Sequence, residues 1–178
     1  TGGGDHFLYV WDWERGAPLH LLTDHSSTID RLVLSADGQR AATTDMNGAV
    51  SLWDLAQGRR IDFYPIYQNV IMSVQFTPDG AGLVSGGSDS AVYLWQMEEA
   101  GGAHLTARLT AQKQHIFAVA VHPDGNLMAS AGDGGGIALW ARNSGRLLQT
   151  LPGPARNIAM LAFSPAGQWL ASANGDGT

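Results

Sequence analysis

Apolar and polar residues alternate along this chain in short runs, and the runs come in matching sets. Leu8/Val10, Val50/Leu52, Val92/Leu94 and Ile137/Leu139 occupy every second position and lead into Trp11, Trp53, Trp95 and Trp140. Alternation with period two is the signature of a β-strand with one buried face. A second set reads Ile29-Leu32-Leu34, Ile71-Val74-Phe76, Ile116-Val119-Val121 and Ile158-Leu161-Phe163. Each of these runs into a tight-turn sequence, "SADG", "TPDG", "HPDG" or "SPAG", in which Gly accepts positive φ and Pro, where present, presets its own φ. The tryptophans are spaced by 42, 42 and 45 residues, and the turn glycines Gly38, Gly80, Gly125 and Gly167 by 42, 45 and 42. The chain is an array of one unit.

Each unit predicts four short strands. One precedes the turn (Ile71 to Phe76), one follows it (Leu83 to Ser85), one ends at Trp, and one follows a further glycine turn ("RLLQTL", 146–151). Gly16, Gly58 and Gly145 mark that further turn; after Trp95 the stretch "QMEEAGGAH" carries a three-residue insertion with Glu98 and Glu99, expected on the face opposite the loops that precede each first strand. A four-stranded antiparallel sheet cannot bury both faces alone, whereas sheets stacked radially bury one another, which is a β-propeller. The expectation is an all-β chain of about four blades: residues 1–23 as outer strands of a partial blade, blades at 24–65, 66–111 and 112–153, and 154–178 as inner strands of a partial blade.

The segments "TGGGDHFLYVW", "TTDMNGAVSLW", "SGGSDSAVYLW" and "SAGDGGGIALW" each run from a hydroxyl residue to Trp, and one continues as "LWD" (Leu52-Trp53-Asp54). With the period and the "PDG" turn, these resemble WD40 repeats over essentially the whole chain. The resemblance implies a buried network of His, Ser/Thr, Asp and Trp in each blade. An indole N–H needs an acceptor when buried, a hydroxyl can accept from it and donate onward, and a turn Asp can fix an imidazole. Carried over, the motif gives His25, Thr43, Asn47 and Trp53, with Asn in the Asp place. It gives Ser85, Asp89 and Trp95 with Tyr67 in the His place, and Ser130 and Trp140 with Gln112 and Gly134 in the other two, Asp133 lying one residue early. Thr1, Asp5 and Trp11 belong to the N-terminal part, and Ser172 and Asp176, with Pro154 in the His place, to the C-terminal part. No blade keeps all four, so the networks are expected to be partial and apolar packing to carry most of the stability.

Composition removes several classes of function. Net charge is −6 and Lys113 stands alone among nine Arg, which argues against binding a phosphate backbone through clustered cations. The absence of Cys excludes disulfides and thiolate metal sites and permits a reduced, cytoplasmic setting. No apolar run is long enough to cross a bilayer as a helix, and no membrane attachment is expected. The six His do not fall at metal-ligand spacing; His115 and His122 read as solvated loop and turn residues. The glycine clusters recur at one turn of the repeat rather than between strand and helix, so no phosphate cradle, cofactor or metal is expected, and the carboxylates all have structural roles.

What remains is a non-catalytic scaffold that displays loops to other proteins or peptides. Tyr67, Arg156, Lys113, His115 and Met46 lie on one set of loops and are the residue types to test first, since aromatic residues and Arg dominate binding hot spots. The alternative is a regulatory or sensor module of a larger multidomain protein, of the kind linked to bacterial kinases or proteases. The repeat also aligns Thr1 with Ser172, so the sequence opens on outer strands and closes on inner ones. A piece of a longer propeller is the preferred expectation. A four-blade ring closed by strands from both termini, or two crescents meeting, are the other outcomes, and open blade edges imply self-association.

Overall fold

The computed structural model describes residues 1–65, 70–99, 101–110, 112–153 and 157–175. Sixteen strands and no helix make up the described residues. The chain enters through a two-stranded sheet, β1 (Leu8–Asp12) and β2 (Ala17–Leu22). Three four-stranded antiparallel sheets follow, each in simple sequential order. The first holds β3 (Ile29–Leu34), β4 (Arg40–Asp45), β5 (Ala49–Asp54) and β6 (Arg59–Pro65). The second holds β7 (Ile71–Phe76), β8 (Gly82–Gly87), β9 (Val92–Met97) and β10 (Ala103–Leu109). The third holds β11 (Ile116–Val121), β12 (Leu127–Gly132), β13 (Ile137–Ala141) and β14 (Arg146–Leu151). A second two-stranded sheet, β15 (Ile158–Phe163) and β16 (Leu170–Asn174), completes the array.

The "PDG"-type turns close β3–β4, β7–β8, β11–β12 and β15–β16. Their glycines sit at φ of 68, 65, 75 and 73°, a region that side chains with a Cβ disfavour. In the first two blades a hydroxyl anchors the turn: Ser35 donates to Asp37 and accepts the Arg40 amide, and Thr77 does the same with Asp79 and Gly82. In the third, His122 takes that place and reaches onward to the Gly167 carbonyl of the next turn at 3.0 Å.

The core lies between sheets, not within them. Leu8 and Leu22 pack on Ile29, Ala41 and Trp53; Ala42 and Leu52 pack on Val74, Phe76, Leu83 and Trp95. Val84 and Leu94 pack on Val119, Met128 and Trp140, and Ala129 and Ile137 on Ile158. Each four-stranded sheet therefore offers its Trp-bearing face to the sheet before it and the opposite face to the sheet after it. This is the radial stacking the repeat implies. The ring closed by terminal strands is not formed: among the described residues the two end sheets stay two-stranded and separate.

Candidate interaction face

Every repeat Trp points its indole N–H at the hydroxyl residue ten positions earlier. Trp53 donates to Thr43 Oγ1 at 2.7 Å, Trp95 to Ser85 Oγ at 3.0 Å, Trp140 to Ser130 Oγ at 2.9 Å, and Trp11 to Thr1 Oγ1 at 3.2 Å. The strand pairing explains the constancy, because β4–β5, β8–β9 and β12–β13 run without a register shift. What lies beyond the hydroxyl differs from blade to blade. His25 Nε2 meets Thr43 Oγ1 at 2.7 Å, whereas Gln112 Oε1 accepts the Ser130 hydroxyl at 2.6 Å.

The Asp place needs correction in the first blade. Asn47 is exposed, and the carboxylate that faces His25 comes from Asp45, two residues earlier. Asp45 Oδ1 accepts the amides of Asn47 and Ala49 across the turn, which aims Oδ2 at His25 Nδ1, 3.6 Å away, with both side chains wholly buried. The first blade thus lines up Asp45, His25, Thr43 and Trp53, but at 3.6 Å His25 Nδ1 and Asp45 Oδ2 make no hydrogen bond, so this network too is partial, as expected. Burial lowers the imidazole pKa, and the Asp45 charge only partly offsets that effect.

Asp5 and Asp89 serve a different partner: their carboxylates accept the phenols of Tyr9 and Tyr93. Burial acts to raise the Asp89 pKa, but hydrogen bonds from Tyr93 and Arg108 outweigh it and hold the carboxyl below its ordinary range. Ser172, at the hydroxyl position of the last sheet, has no indole opposite it among the described residues. Asp176, Tyr67, Pro154 and Arg156 lie outside the described residues.

Strand direction sorts the loops onto two faces. One face carries the segments ahead of β3, β7, β11 and β15 and the turns β4–β5, β8–β9 and β12–β13. Lys113, His115 and Met46 all belong to it. Met46 is exposed beside the first blade, its amide bonded to the Thr28 carbonyl at 3.0 Å. Lys113 and His115 come together with Ser88, Ser90, Asp133 and Asn157 around an open concavity of about 520 Å³. His115 is half exposed and pairs through Nδ1 with Asp133 at 3.3 Å, so it is not simply solvated. His122 is not solvated either: it is largely buried, packs edge-on against Phe163, and bonds Asp124, whose carboxylate raises the imidazole pKa.

The other face bears the β5–β6 turn and the Glu98–Glu99 insertion, which with Arg40, Asp54, Arg59 and Asp79 line a wider hollow of about 660 Å³. Most of its charges are already engaged. Asp79 accepts from Thr77 and Ala81, Arg40 donates to the Gly80 carbonyl, and Arg59 donates to Gln57. Lys113, by contrast, has no ion-pair partner among the described residues.

The fold and the repeated Trp–hydroxyl bond define a propeller-type repeat protein. The family model for the WD domain, G-beta repeat, matches residues 16–54, 61–96, 104–141 and 145–178, and the chain belongs to the WD40 family. It is similar to the small ribosomal subunit protein RACK1 of Caenorhabditis elegans, at 30% identity over 96% of this chain and 68% of that protein. It is likewise 30% identical to the small ribosomal subunit protein RACK1y of Oryza sativa subsp. japonica, over 92% of this chain and 62% of the relative. The periodic tryptophan protein 2 homolog of Dictyostelium discoideum is 26% identical over 95% of this chain but only 18% of its own length. The chain therefore spans between about one fifth and two thirds of these relatives. At the level of the family, they support a protein-interaction scaffold.

Proposed function

We propose that this chain is a non-catalytic, cytoplasmic scaffold that holds a protein segment on the face formed by Lys113, His115 and the neighbouring turns. The observation that carries this reading is the concavity shared by successive sheets, with Ser88 and Ser90 from the second, His115 and Asp133 from the third and Asn157 from the last. A groove spanning repeats suits an extended peptide, as concave repeat surfaces generally do. The uncompensated Lys113 ammonium, in a chain of net charge −6, favours an acidic side chain of the partner. The His115–Asp133 pair and the two serines supply hydrogen bonds along the rim. Met46, Tyr67 and Arg156 extend the proposed contact around the same set of loops. The RACK1 relatives are named as small ribosomal subunit proteins, and this face is the one proposed to meet a protein partner here.

The test is site-specific photo-crosslinking. A photoreactive residue at position 113 is expected to give discrete adducts in cells of the source organism, and one at Gln57 on the opposite face is not. Equal labelling from both positions, or adducts unchanged by Lys113→Glu and His115→Ala controls carrying the probe at Gln114, would overturn the assignment.

A further inference from the structure

One place in the repeat, two residues before the Trp, is filled by an aromatic ring in every described sheet that reaches it except the third blade. In the three blades this place lies directly across from the hydroxyl that accepts the indole N–H, and an outer-strand residue stands on its other side. Cross-strand partners share a face and touch, so the three positions form one site. In the entry sheet the ring is Tyr9, whose phenol donates to Asp5. In the second blade it is Tyr93, whose phenol donates to Asp89 and whose ring centroid lies 5.8 Å from the Arg108 guanidinium. In the first blade Ser51 is small and wholly buried, but the outer strand supplies Phe63 opposite it, with Arg60 5.1 Å from that ring.

The third blade has Ala138 and Thr150 at these positions, and Gly134 where the second blade has Asp89. No aromatic residue lines the space that results, a pocket of about 190 Å³ with Ala138 at its floor and Leu147, Thr150 and Gly136 among its walls. Pockets that take a whole small molecule run to roughly 300–1,000 Å³, so this one suits a single side chain. Lys113, Gln114, Asp133 and Gly134 line both this pocket and the concavity assigned above to a partner, so the two sites adjoin on one face. The pocket lies on the Trp140 side of the third blade, where that blade packs against the second.

Resting on the reading that this face holds a protein segment, we infer that the segment carries an aromatic side chain, Tyr or Phe, and seats it in this pocket. The ring takes the place that Tyr93 fills in the blade before. Ala138, Leu147 and the Thr150 methyl receive its faces, and Gln114 and Asp133 at the rim offer acceptors to a phenol. An aromatic occupant is favoured over an aliphatic one because the same strand pairing frames a ring in the other sheets. The acidic residue drawn to Lys113 does not enter here, since Asp133 lines the pocket and its floor is apolar. Ring and acid therefore occupy adjoining sites from one segment, and an aromatic side chain buried in a pocket carries a large share of interface energy.

Selection of a phage-displayed library of random linear peptides on the full chain supplies the probe. Selected sequences are expected to share a Tyr or Phe at a fixed short spacing from Asp or Glu, and replacing that ring by Ala in the synthetic peptide should weaken binding about tenfold or more. Ala138→Tyr builds the ring into the chain, as in the second blade, and should weaken the same peptide comparably. Gly136→Leu fills the pocket from another wall with the same result; a Cβ there meets nothing nearer than 3.5 Å, so the blade keeps its far-ultraviolet spectrum. Peptides that need Lys113 yet share no ring, or that bind Gly136→Leu as tightly as the native chain, would overturn the pocket and leave the reading of the face standing. Peptides indifferent to Lys113→Glu and to both pocket variants, or a selection that yields no binder, would overturn both.

Discussion

Thr43→Val separates the hydrogen-bonded network from the apolar packing around it. The substitution keeps the shape of the side chain and removes one hydroxyl. That hydroxyl serves two groups, the Trp53 indole N–H and His25 Nε2, each at 2.7 Å. Thr43 and Trp53 are 0% exposed and the His25 side chain is wholly buried, so neither orphaned group can turn to water. Leaving a buried polar group unpaired costs about 1–3 kcal/mol. Two of them give roughly 2–4 kcal/mol, since losses in one network are not fully additive. For a chain of this length that corresponds to a fall in Tm of roughly 5–15 °C. Ser85→Ala orphans a single indole and should cost about 1–2 kcal/mol. Ser130→Ala also releases Gln112, which is only partly buried and can find water, so its cost should stay close to that of Ser85→Ala. Urea titration followed by tryptophan fluorescence, with the slope m held in common, reads the three values. A Thr43→Val cost within about 0.5 kcal/mol of that for Ser85→Ala would refute the claim that His25 is coupled through the hydroxyl. The Thr43→Val/Trp53→Phe cycle supplies the coupling energy directly.

Three other outcomes follow from the same geometry. Asn47→Ala should change stability by less than about 0.5 kcal/mol, because the residue is exposed, whereas Asp45→Ala should cost several times more by freeing two turn amides and the face of His25; equal effects in urea would return the role to position 47. The two His give opposite pH dependence. Burial lowers the His25 pKa, so its contribution is complete above about 6.5 and lost as pH falls below it; that of His122, raised by Asp124, is complete below about 6.5 and lost as pH rises through its folded value. Thermal melts between pH 5 and 8 should show a shallower acid loss for His25→Gln, in which Gln takes the role Gln112 already plays, and a steeper acid loss for His122→Asn. Gly132→Ala should cost about 1–3 kcal/mol by overpacking, since a Cβ there would stand 1.8 Å from the His115 carbonyl; it should also weaken labelling from position 113.

The fold was legible because a propeller repeats its constraints. Each unit must bury the same strand faces, turn at the same glycines and satisfy the same indole, so one blade checks another. That redundancy places Ile71–Phe76 and Arg146–Leu151 at the observed bounds and makes Gly82–Gly87 longer than Leu83 to Ser85 only at its ends. The Asp place failed for the same reason. Alignment assigns one role to one column, and Asn47 occupies the column, but an Asx turn lets a carboxylate two residues upstream reach the same imidazole. "TTD" was the available signal, since Asp45 is the one acid of β4 and stands at its end. His122 was read as a solvated turn residue because its partner, the Gly167 carbonyl, is one full period away and only stacking brings it near.

The unevenness of the networks bears on how such a scaffold works. A displayed face must keep its loops in place while its own residues answer to a partner rather than to the core. In the first blade the loop before β3 is tied down by His25, which bonds Thr43 and lies beside the Asp45 carboxylate. In the third blade that position is Gln112, a weaker tie, and the loop is held instead from outside the network. The Asp133 amide bonds the His115 carbonyl at 3.1 Å over a glycine that leaves no room to shift, and the 3.3 Å contact between the His115 and Asp133 side chains closes the same loop from the solvent side. A half-exposed side-chain contact of this kind contributes little stability, so it can open without unfolding the blade. The backbone clamp stays behind to hold Lys113 and the rim in register. Rigid main chain with exchangeable side-chain partners is the combination that the proposed peptide capture requires, and the third blade offers both beside the concavity.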